Sequence, residues 1–130
     1  MTAASAARGS QNAHQNSIRL SEADLIRGLR DMLGPKLVAY IGSVKETRAV
    51  RQWAGGERKP SAEVMTRLRH AYHVAALLAE RDSRTVVQAW FQGMNPQLDD
   101  APPARLLRES QVEDAAQAVI AAARAFAAAG

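Results

Sequence analysis

Apolar residues recur at helical spacing along most of this sequence, and no segment alternates apolar and polar residues as a β-strand would. Serines that can cap a helix stand before three of the apolar segments, at Ser21, Ser61 and Ser83. Glycines that can end a helix follow three of them, at Gly34-Pro35, Gly55-Gly56 and Gly93. The spacing therefore predicts an all-α fold of about seven helices without an internal repeat.

The sequence divides into four predicted segments. Residues 1–17 are predicted to be a disordered tail, because they are mostly alanine, serine, glutamine, asparagine and glycine without periodicity. A small helical bundle is expected over residues 18–60, a long connecting helix over 61–82 and a small helical domain over 83–130. Because the tail has no apolar core, we expect no secretory signal in it.

The composition limits the class of protein. Of the 61 hydrophobic residues, 27 are alanine, which leaves 34 large side chains for a modest core. A catalytic domain with a deep cleft is therefore not expected, and neither is a cofactor. The chain has no cysteine, which excludes disulfides, cysteine-ligated zinc, iron–sulfur clusters and thiol catalysis. No apolar run approaches the roughly 20 residues that cross a bilayer, so we expect a cytoplasmic protein without a membrane span.

Basic residues are concentrated in the first part of the sequence. Residues 43–70 carry seven basic and three acidic side chains, whereas residues 71–130 carry five basic and seven acidic ones. Fourteen of the 17 basic residues are arginine, which suits paired hydrogen bonds to phosphate and guanine. The distribution favours a polyanionic partner for the first part and a basic protein partner for the second.

Residues 35–56 are predicted to form two short helices joined by a small turn at Gly42. At about 100° per residue, one side of the second helix carries Val50, Trp53 and Ala54. The opposite side carries Arg48, Arg51 and Gln52, with Lys45 near the helix start. We expect the apolar side to pack on the first helix and the polar side to face solvent.

The polar side of this helix has the chemistry of a DNA major-groove reader. Arginine can form paired hydrogen bonds with guanine, and glutamine can form them with adenine. Arg58 and Lys59 follow the helix and can hold backbone phosphates. The predicted DNA-binding residues are Lys45, Arg48, Arg51, Gln52, Arg58 and Lys59. A solvated charged face is the alternative, and Glu46 would either repel phosphate or interact with the helix dipole.

The C-terminal part gathers large apolar residues around an irregular, proline-rich loop, residues 94–103. Trp90, Leu106 and Leu107 are predicted to belong to the core, whereas the loop is predicted to lie on the surface. Asp99 and Asp100 either meet a charged pocket of a partner or form a solvated turn. The last helix is rich in alanine and can pack on its own domain, on a second copy or on another protein.

Metal and phosphate sites of known pattern are not evident. His70 and His73 share a helix face, but Glu63 and Glu80 lie seven residues beyond them on either side. One straight helix spreads these four side chains over some 25 Å, so we expect no metal site. No glycine-rich phosphate loop or nucleophile motif is present.

Two parts of the sequence resemble parts of one protein family. The segment LVAYIGSVKETRAVRQWAGGERKPS resembles the Xre-type helix-turn-helix, with its valine–x–x–tryptophan pair, following glycine and later proline. The C-terminal half resembles the toxin-binding domain of the Xre/MbcA/ParS antitoxin family. The matching residues are Trp90, MNPQL at 94–98, Pro103, RLL at 105–107 and AARAF at 122–126. Both halves follow the family's order and spacing. Asp99-Asp100 and Glu109-Ser110 depart from it, where the family often has glycine and an acid–glycine pair.

The resemblance implies an antitoxin of a type II toxin–antitoxin system, without enzymatic activity of its own. Its partner would be a RES-domain toxin, an enzyme that depletes cellular NAD and whose active-site opening the antitoxin would block. The implied toxin-binding residues are Met94, Asn95, Pro96, Leu98, Asp99, Asp100, Pro103, Arg105, Leu106, Arg124 and Phe126.

The same resemblance implies that the helix-turn-helix binds promoter DNA and represses the protein's own operon. The antitoxin would act as a homodimer or as a hetero-oligomer with its toxin. One alternative is a stand-alone helix-turn-helix transcriptional regulator whose C-terminal half dimerises. A further alternative is a helix-turn-helix that serves as a scaffold and does not touch DNA.

Overall fold

The computed structural model describes residues 11–15, 20–109 and 112–129. This part of the chain is helical and contains no β-strand, which confirms the predicted all-α class. The helices are α1 (11–15), α2 (Glu22–Leu33), α3 (Pro35–Ile41), α4 (Thr47–Ala54), α5 (Ala62–Ala79), α6 (Arg84–Gln92), α7 (Pro103–Glu109) and α8 (Val112–Ala129). One turn of 3-10 helix, Pro96–Leu98, lies between α6 and α7.

Serine hydroxyls cap three helices, as the sequence predicts. The Ser21 hydroxyl accepts a hydrogen bond from the backbone N–H of Asp24 at 3.2 Å. Ser61 and Ser83 cap α5 and α6 in the same way, at 3.2 and 3.3 Å. Each bond satisfies one N–H group that has no partner within its own helix. Ser110, which with Glu113 three residues later has the sequence pattern of a capping box, lies outside the described residues.

The link between α2 and α3 is a single residue. Gly34 has a φ of +84°, which favours glycine, and its N–H group donates to the Arg30 carbonyl at 2.8 Å. Pro35 then takes the first position of α3, where its missing N–H group costs nothing. The predicted stop and restart at this dipeptide is confirmed.

Two glycines allow helices to approach closely. A Cβ atom at Gly28 on α2 would lie 3.1 Å from Cε2 of Tyr72 on α5. Tyr72 is partly buried at this contact, and burial raises the pKa of its hydroxyl. A Cβ atom at Gly42, after α3, would lie 3.2 Å from Cζ3 of Trp53 on α4. Gly42 is therefore needed for the space that the indole ring occupies. The left-handed residue of that turn is Ser43, with a φ of +59°.

One continuous cluster of buried side chains extends from α2 to α8. The long helix α5 lies at its centre and contacts α2, α3, α6, α7 and α8. Leu68, Val74 and Leu78 on α5 are almost fully buried. The boundaries predicted at residues 60 and 82 therefore do not separate two hydrophobic cores.

The predicted disordered tail is wrong for residues 11–15, which form the short helix α1. Ala13 is 2% exposed and joins the core cluster, and the His14 ring lies 5.2 Å from the ring of His73 on α5. A single alanine in a polar segment does not indicate from the sequence that the segment packs on the core. The rest of the predicted tail lies outside the described residues.

Helix α8 packs within its own chain. Ala116, Val119 and Ala123 are fully buried, and the helix contacts α5 and α7. The sequence left open whether this helix packs on its own domain, on a second copy or on another protein. In the structure, one face of the helix packs on the core of its own chain. Phe126, near the C-terminal end of the helix, is 42% exposed.

Candidate functional site

The two sides of α4 differ as the sequence predicts. Its buried residues are Ala49, Val50, Trp53 and Ala54. Trp53 is 3% exposed and lies against the turn at Gly42. Arg48 and Arg51 are exposed on the other side, whereas Gln52 is half-buried. The Gln52 carbonyl accepts hydrogen bonds from the N–H groups of Glu57 and Arg58, so its backbone holds the loop after the helix.

The neighbouring helix α2 fixes the C-terminal end of α4. The Arg27 guanidinium donates a hydrogen bond to the Ala54 carbonyl at 2.7 Å and also pairs with Asp24. Gly55 follows as the C-terminal cap, and Gly56 takes a φ of +76°. The chain then turns and leaves Arg58 and Lys59 exposed.

The N-terminal end of α4 is different from those of α2, α5 and α6. Its cap residue is Glu46, whose backbone is extended and whose side chain makes no capping hydrogen bond. The exposed carboxylate is placed at the positive end of the helix dipole, where a negative charge is favourable. Of the two roles predicted for Glu46, this position favours the dipole partner.

The predicted DNA-binding cations have no carboxylate partner among the residues that the structure describes. The ion pairs in that part of the chain include Arg27–Asp24, Arg67–Glu63 and Arg105–Glu109, and none involves a predicted DNA-binding residue. The exposed cations outside these pairs include Lys45, Arg48, Arg51, Arg58 and Lys59. Their charge is therefore not neutralised within the described part of the molecule. An exposed face of this kind attracts a polyanion.

A second exposed surface lies in the C-terminal part and is apolar. We call it the apolar groove, and it has a volume of about 420 Å³. The α6 end, the following loop and the C-terminal half of α8 form it, and its large side chains are Trp90, Met94, Pro96 and Phe126. Met94 is 79% exposed, and the rings of Trp90 and Phe126 lie 6.3 Å apart. Ala122 and Ala125 line its α8 side and keep it open, because they have no long side chains.

The predicted toxin-binding residues do not form one continuous patch. Met94, Asn95, Pro96 and Phe126 line the apolar groove. Leu98 and Pro103 are buried, so they support the loop and do not present a surface to a partner. Leu106 is half-buried, and Arg124 is exposed on α8. Arg105 lies in another cleft, beside Lys36 and Tyr40 of α3, and pairs with Glu109 at 3.3 Å.

Asp99 and Asp100 form an exposed turn in an unusual backbone conformation. Their φ angles are +54° and +65°, in the left-handed region that favours glycine. The Asn95 carbonyl accepts the N–H groups of Leu98 and Asp100, both at 2.9 Å. The loop is thus held by its own backbone hydrogen bonds, and neither carboxylate belongs to an ion pair found among the described residues.

Sequence reasoning missed the contribution of Trp90 to an exposed surface. It was predicted to be a core residue, but it is half-buried, with one ring contact to buried Phe91 and one to exposed Phe126. Leu107 is buried as predicted. The groove forms because Trp90 on α6 lies beside the alanines of α8. These residues are far apart in the sequence, so their spacing does not predict that they meet.

Sequence reasoning also missed Arg108. This α7 residue lies over the Tyr40 ring of α3, with its guanidinium carbon 4.5 Å from the ring centroid. Its Nη1 donates a hydrogen bond to the Tyr40 carbonyl at 3.2 Å. The contact joins residues 68 positions apart, so no local pattern predicts it.

Neither a metal centre nor a membrane span is found in the described ranges. The histidines and acidic residues there include no group of three or more that fits a metal ion. None of the helices in that part of the chain is long and apolar enough to cross a membrane. Comparison with known proteins gives no match: no family model, curated protein or solved structure matches this sequence.

Proposed function

We propose that this chain is a type II antitoxin with two binding surfaces. The basic face of α4 binds promoter DNA and represses the operon, and the C-terminal surface binds and neutralises a RES-domain toxin. The observation that carries the proposal is the presence of two exposed surfaces of opposite chemistry in one small helical molecule. The basic face is formed by cations that have no carboxylate partner among the described residues, and the apolar groove by exposed Met94 and Phe126.

The DNA-binding part is supported by the arrangement of α3 and α4. Two short helices are joined by a tight turn, and buried Trp53 fixes the second helix on the first. Arg48 and Arg51 then face outward from a helix of eight residues, a length that fits the major groove. The resemblance of residues 37–61 to the Xre-type helix-turn-helix points in the same direction.

The toxin-binding part is supported by the apolar groove. An exposed cluster of large apolar side chains, bordered by polar residues, is typical of a protein-binding site. Methionine and aromatic residues are also enriched at the centres of such interfaces. The groove contains four residues that the family resemblance assigns to toxin binding.

Expression of the adjacent open reading frame in a bacterial host, with and without this chain, tests the proposal. We expect the neighbour alone to stop growth and to lower cellular NAD, and the chain to restore both. The double variant Met94→Asp/Phe126→Asp places charges in the groove and is expected to lose protection and co-purification. The control variant Arg51→Ala is expected to keep both. A harmless neighbour, or full protection by the groove variant, contradicts the proposal.

The same variants separate the antitoxin from a stand-alone regulator. If the apolar groove joins two copies of this chain, Met94→Asp/Phe126→Asp converts a dimer into a monomer in sedimentation experiments, with no toxin present. A dimer that needs the groove, together with a neighbour that never co-purifies, would establish the stand-alone regulator and overturn the antitoxin.

A further inference from the structure

We propose that a cleft between α3, the start of α4 and α7 binds a phosphate group of the DNA backbone. We call it the basic cleft. Through it Arg108, which belongs to the C-terminal part of the chain, takes part in DNA binding. The inference rests on the DNA-binding half of the proposed function and adds a contact outside α4 and its following loop.

The basic cleft is wide and predominantly cationic. Its volume is about 810 Å³. Its charged residues are Lys36, Lys45, Arg48, Arg108 and Glu46. Four cations thus face one carboxylate, and that carboxylate belongs to the residue at the N-terminal end of α4, where the helix dipole favours a negative charge. The potential within the cleft is positive, since low-dielectric walls concentrate the field of such charges.

The cations of the basic cleft have no carboxylate partner within the described part of the chain. None of the four takes part in the ion pairs found there. Arg105, one turn earlier on α7, shows the contrast, because its Nε lies 3.3 Å from the Glu109 carboxylate. The same short helix therefore carries one neutralised arginine and one to which the described residues supply no carboxylate.

Arg108 is fixed in position by groups that leave its charge intact. The Tyr40 ring supports the plane of the guanidinium, and the Tyr40 carbonyl accepts a hydrogen bond from Nη1. Neither contact uses a carboxylate. Because the side chain is already ordered, little conformational entropy remains to be lost when a ligand binds. The remaining N–H groups of a guanidinium suit the oxygens of a phosphate.

The position of the cleft favours DNA backbone as the source of the phosphate. Lys45 and Arg48 line the cleft and also belong to the predicted DNA-binding face, so the two surfaces are continuous. When a helix enters the major groove, its flanking elements lie beside the phosphates at the groove edge. An element packed against α3, as α7 is, lies at such a flank.

Fluorescence anisotropy with labelled duplexes, one from the region upstream of the gene and one of unrelated sequence, tests the inference over a range of KCl concentrations. Arg108→Gln is expected to weaken binding to both duplexes by about 8-fold near 0.1 M salt, and to lower the slope of log affinity against log salt by about 0.9. Both effects are equal for the two duplexes, because a phosphate contact does not read sequence.

A second variant, Lys36→Gln, tests the cleft without the risk that weaker DNA binding comes from a loss of folding. Lys36 is exposed on the first turn of α3, so its replacement leaves the core unchanged. We expect about 3-fold weaker binding and a lower salt slope for this variant. Arg105→Gln is the matched control, since it removes the same charge from the same helix outside the basic cleft. It is expected to bind as the wild type does.

The outcomes distinguish this inference from the proposed function. If the wild-type chain binds neither duplex, both the proposed DNA-binding function and the proposed phosphate contact are wrong. Normal binding by the wild type, with Lys36→Gln and Arg108→Gln equal to Arg105→Gln, overturns the cleft alone. Binding of inorganic phosphate that Arg108→Gln abolishes, without any change in DNA affinity, would assign the cleft to a free anion and also overturn the inference.

Discussion

The basic face of α4 and the apolar groove are both exposed, but they are built in opposite ways. On α4 every large apolar side chain is buried, and the exposed residues are Thr47, Arg48 and Arg51. In the groove the exposed residues are themselves apolar, with Met94 79% and Phe126 42% exposed. Binding at the first surface is expected to depend on charge and salt, and binding at the second on the removal of apolar surface from water.

The two surfaces nevertheless share one core. Helix α5 contacts α2 on one side and α8 on the other, and Val119 and Ala123 of α8 are fully buried. Truncating the chain before α8 would therefore remove part of the common core as well as the groove. Single substitutions of exposed side chains test each surface without this complication.

The largest difference between the two regions is expected in the free energy of unfolding. Trp53→Ala removes a buried ring that fills the space above Gly42, and we expect it to cost about 3–5 kcal/mol. Phe126→Ala removes a ring that is roughly half-exposed, and we expect it to cost about 1 kcal/mol. Urea unfolding followed by circular dichroism measures both. Equal losses would mean that the groove is part of the core and is no free surface.

The predictions that came closest to the structure concern local patterns. A serine that caps a helix bonds an N–H group three residues away, so Ser21, Ser61 and Ser83 are recognisable from their neighbours alone. The two sides of α4 follow from the helical period of eight consecutive residues. These features, and with them the exposure of Arg48 and Arg51, need no knowledge of the rest of the chain.

The features that the sequence did not reveal depend on distant helices. Within the loop after α6, Leu98 is buried and Met94 is exposed, although both are large and apolar. An irregular loop has no period that assigns its residues to a face, so their burial depends on where α8 lies. Apart from Val119 and Ile120, the buried residues of α8 are alanines, and alanines on every side of a helix give only a weak pattern to indicate which face is buried.

The next largest effect is expected on DNA affinity. Arg51→Ala should weaken promoter binding by about 1–3 kcal/mol if the side chain reads a guanine, and should relax sequence preference at that base pair. Because Arg51 is exposed, stability and toxin neutralisation should not change. Gel shifts with the promoter and with single-base variants measure this. Arg84→Ala on α6 is the control, and an Arg51→Ala variant indistinguishable from it would remove α4 from the DNA interface.

A smaller effect, and one of a different kind, is expected at Lys59. Its replacement by alanine should lower affinity for all duplexes alike and reduce the salt slope by about one, since one phosphate contact is lost. Capture of the toxin at the apolar groove should by contrast change little over the same range of salt. A toxin complex that dissociates as steeply with salt as the DNA complex would remove the contrast between the two surfaces.

The smallest expected effect concerns a backbone feature that both regions share. Each has a non-glycine residue in the left-handed conformation, Ser43 before α4 and Asp100 before α7. Asp100→Gly should raise stability by about 0.5–1 kcal/mol, because relief of the left-handed strain exceeds the extra entropy of the unfolded glycine. Ser43→Gly should gain less, since the Ser43 hydroxyl lies 3.4 Å from an Arg67 nitrogen and that contact is lost.

Thermal unfolding of both glycine variants, followed by toxin capture, then separates strain from function. If the Asp100 carboxylate contacts the toxin, Asp100→Gly is more stable than the wild type and binds the toxin more weakly. Asp100→Asn also loses the charge and binds more weakly, but it keeps the stability of the wild type. A loop that only turns the chain would bind equally well in all three forms. Because strain is retained where a side chain serves a function, a gain in stability with a loss of capture would place Asp100 at the interface.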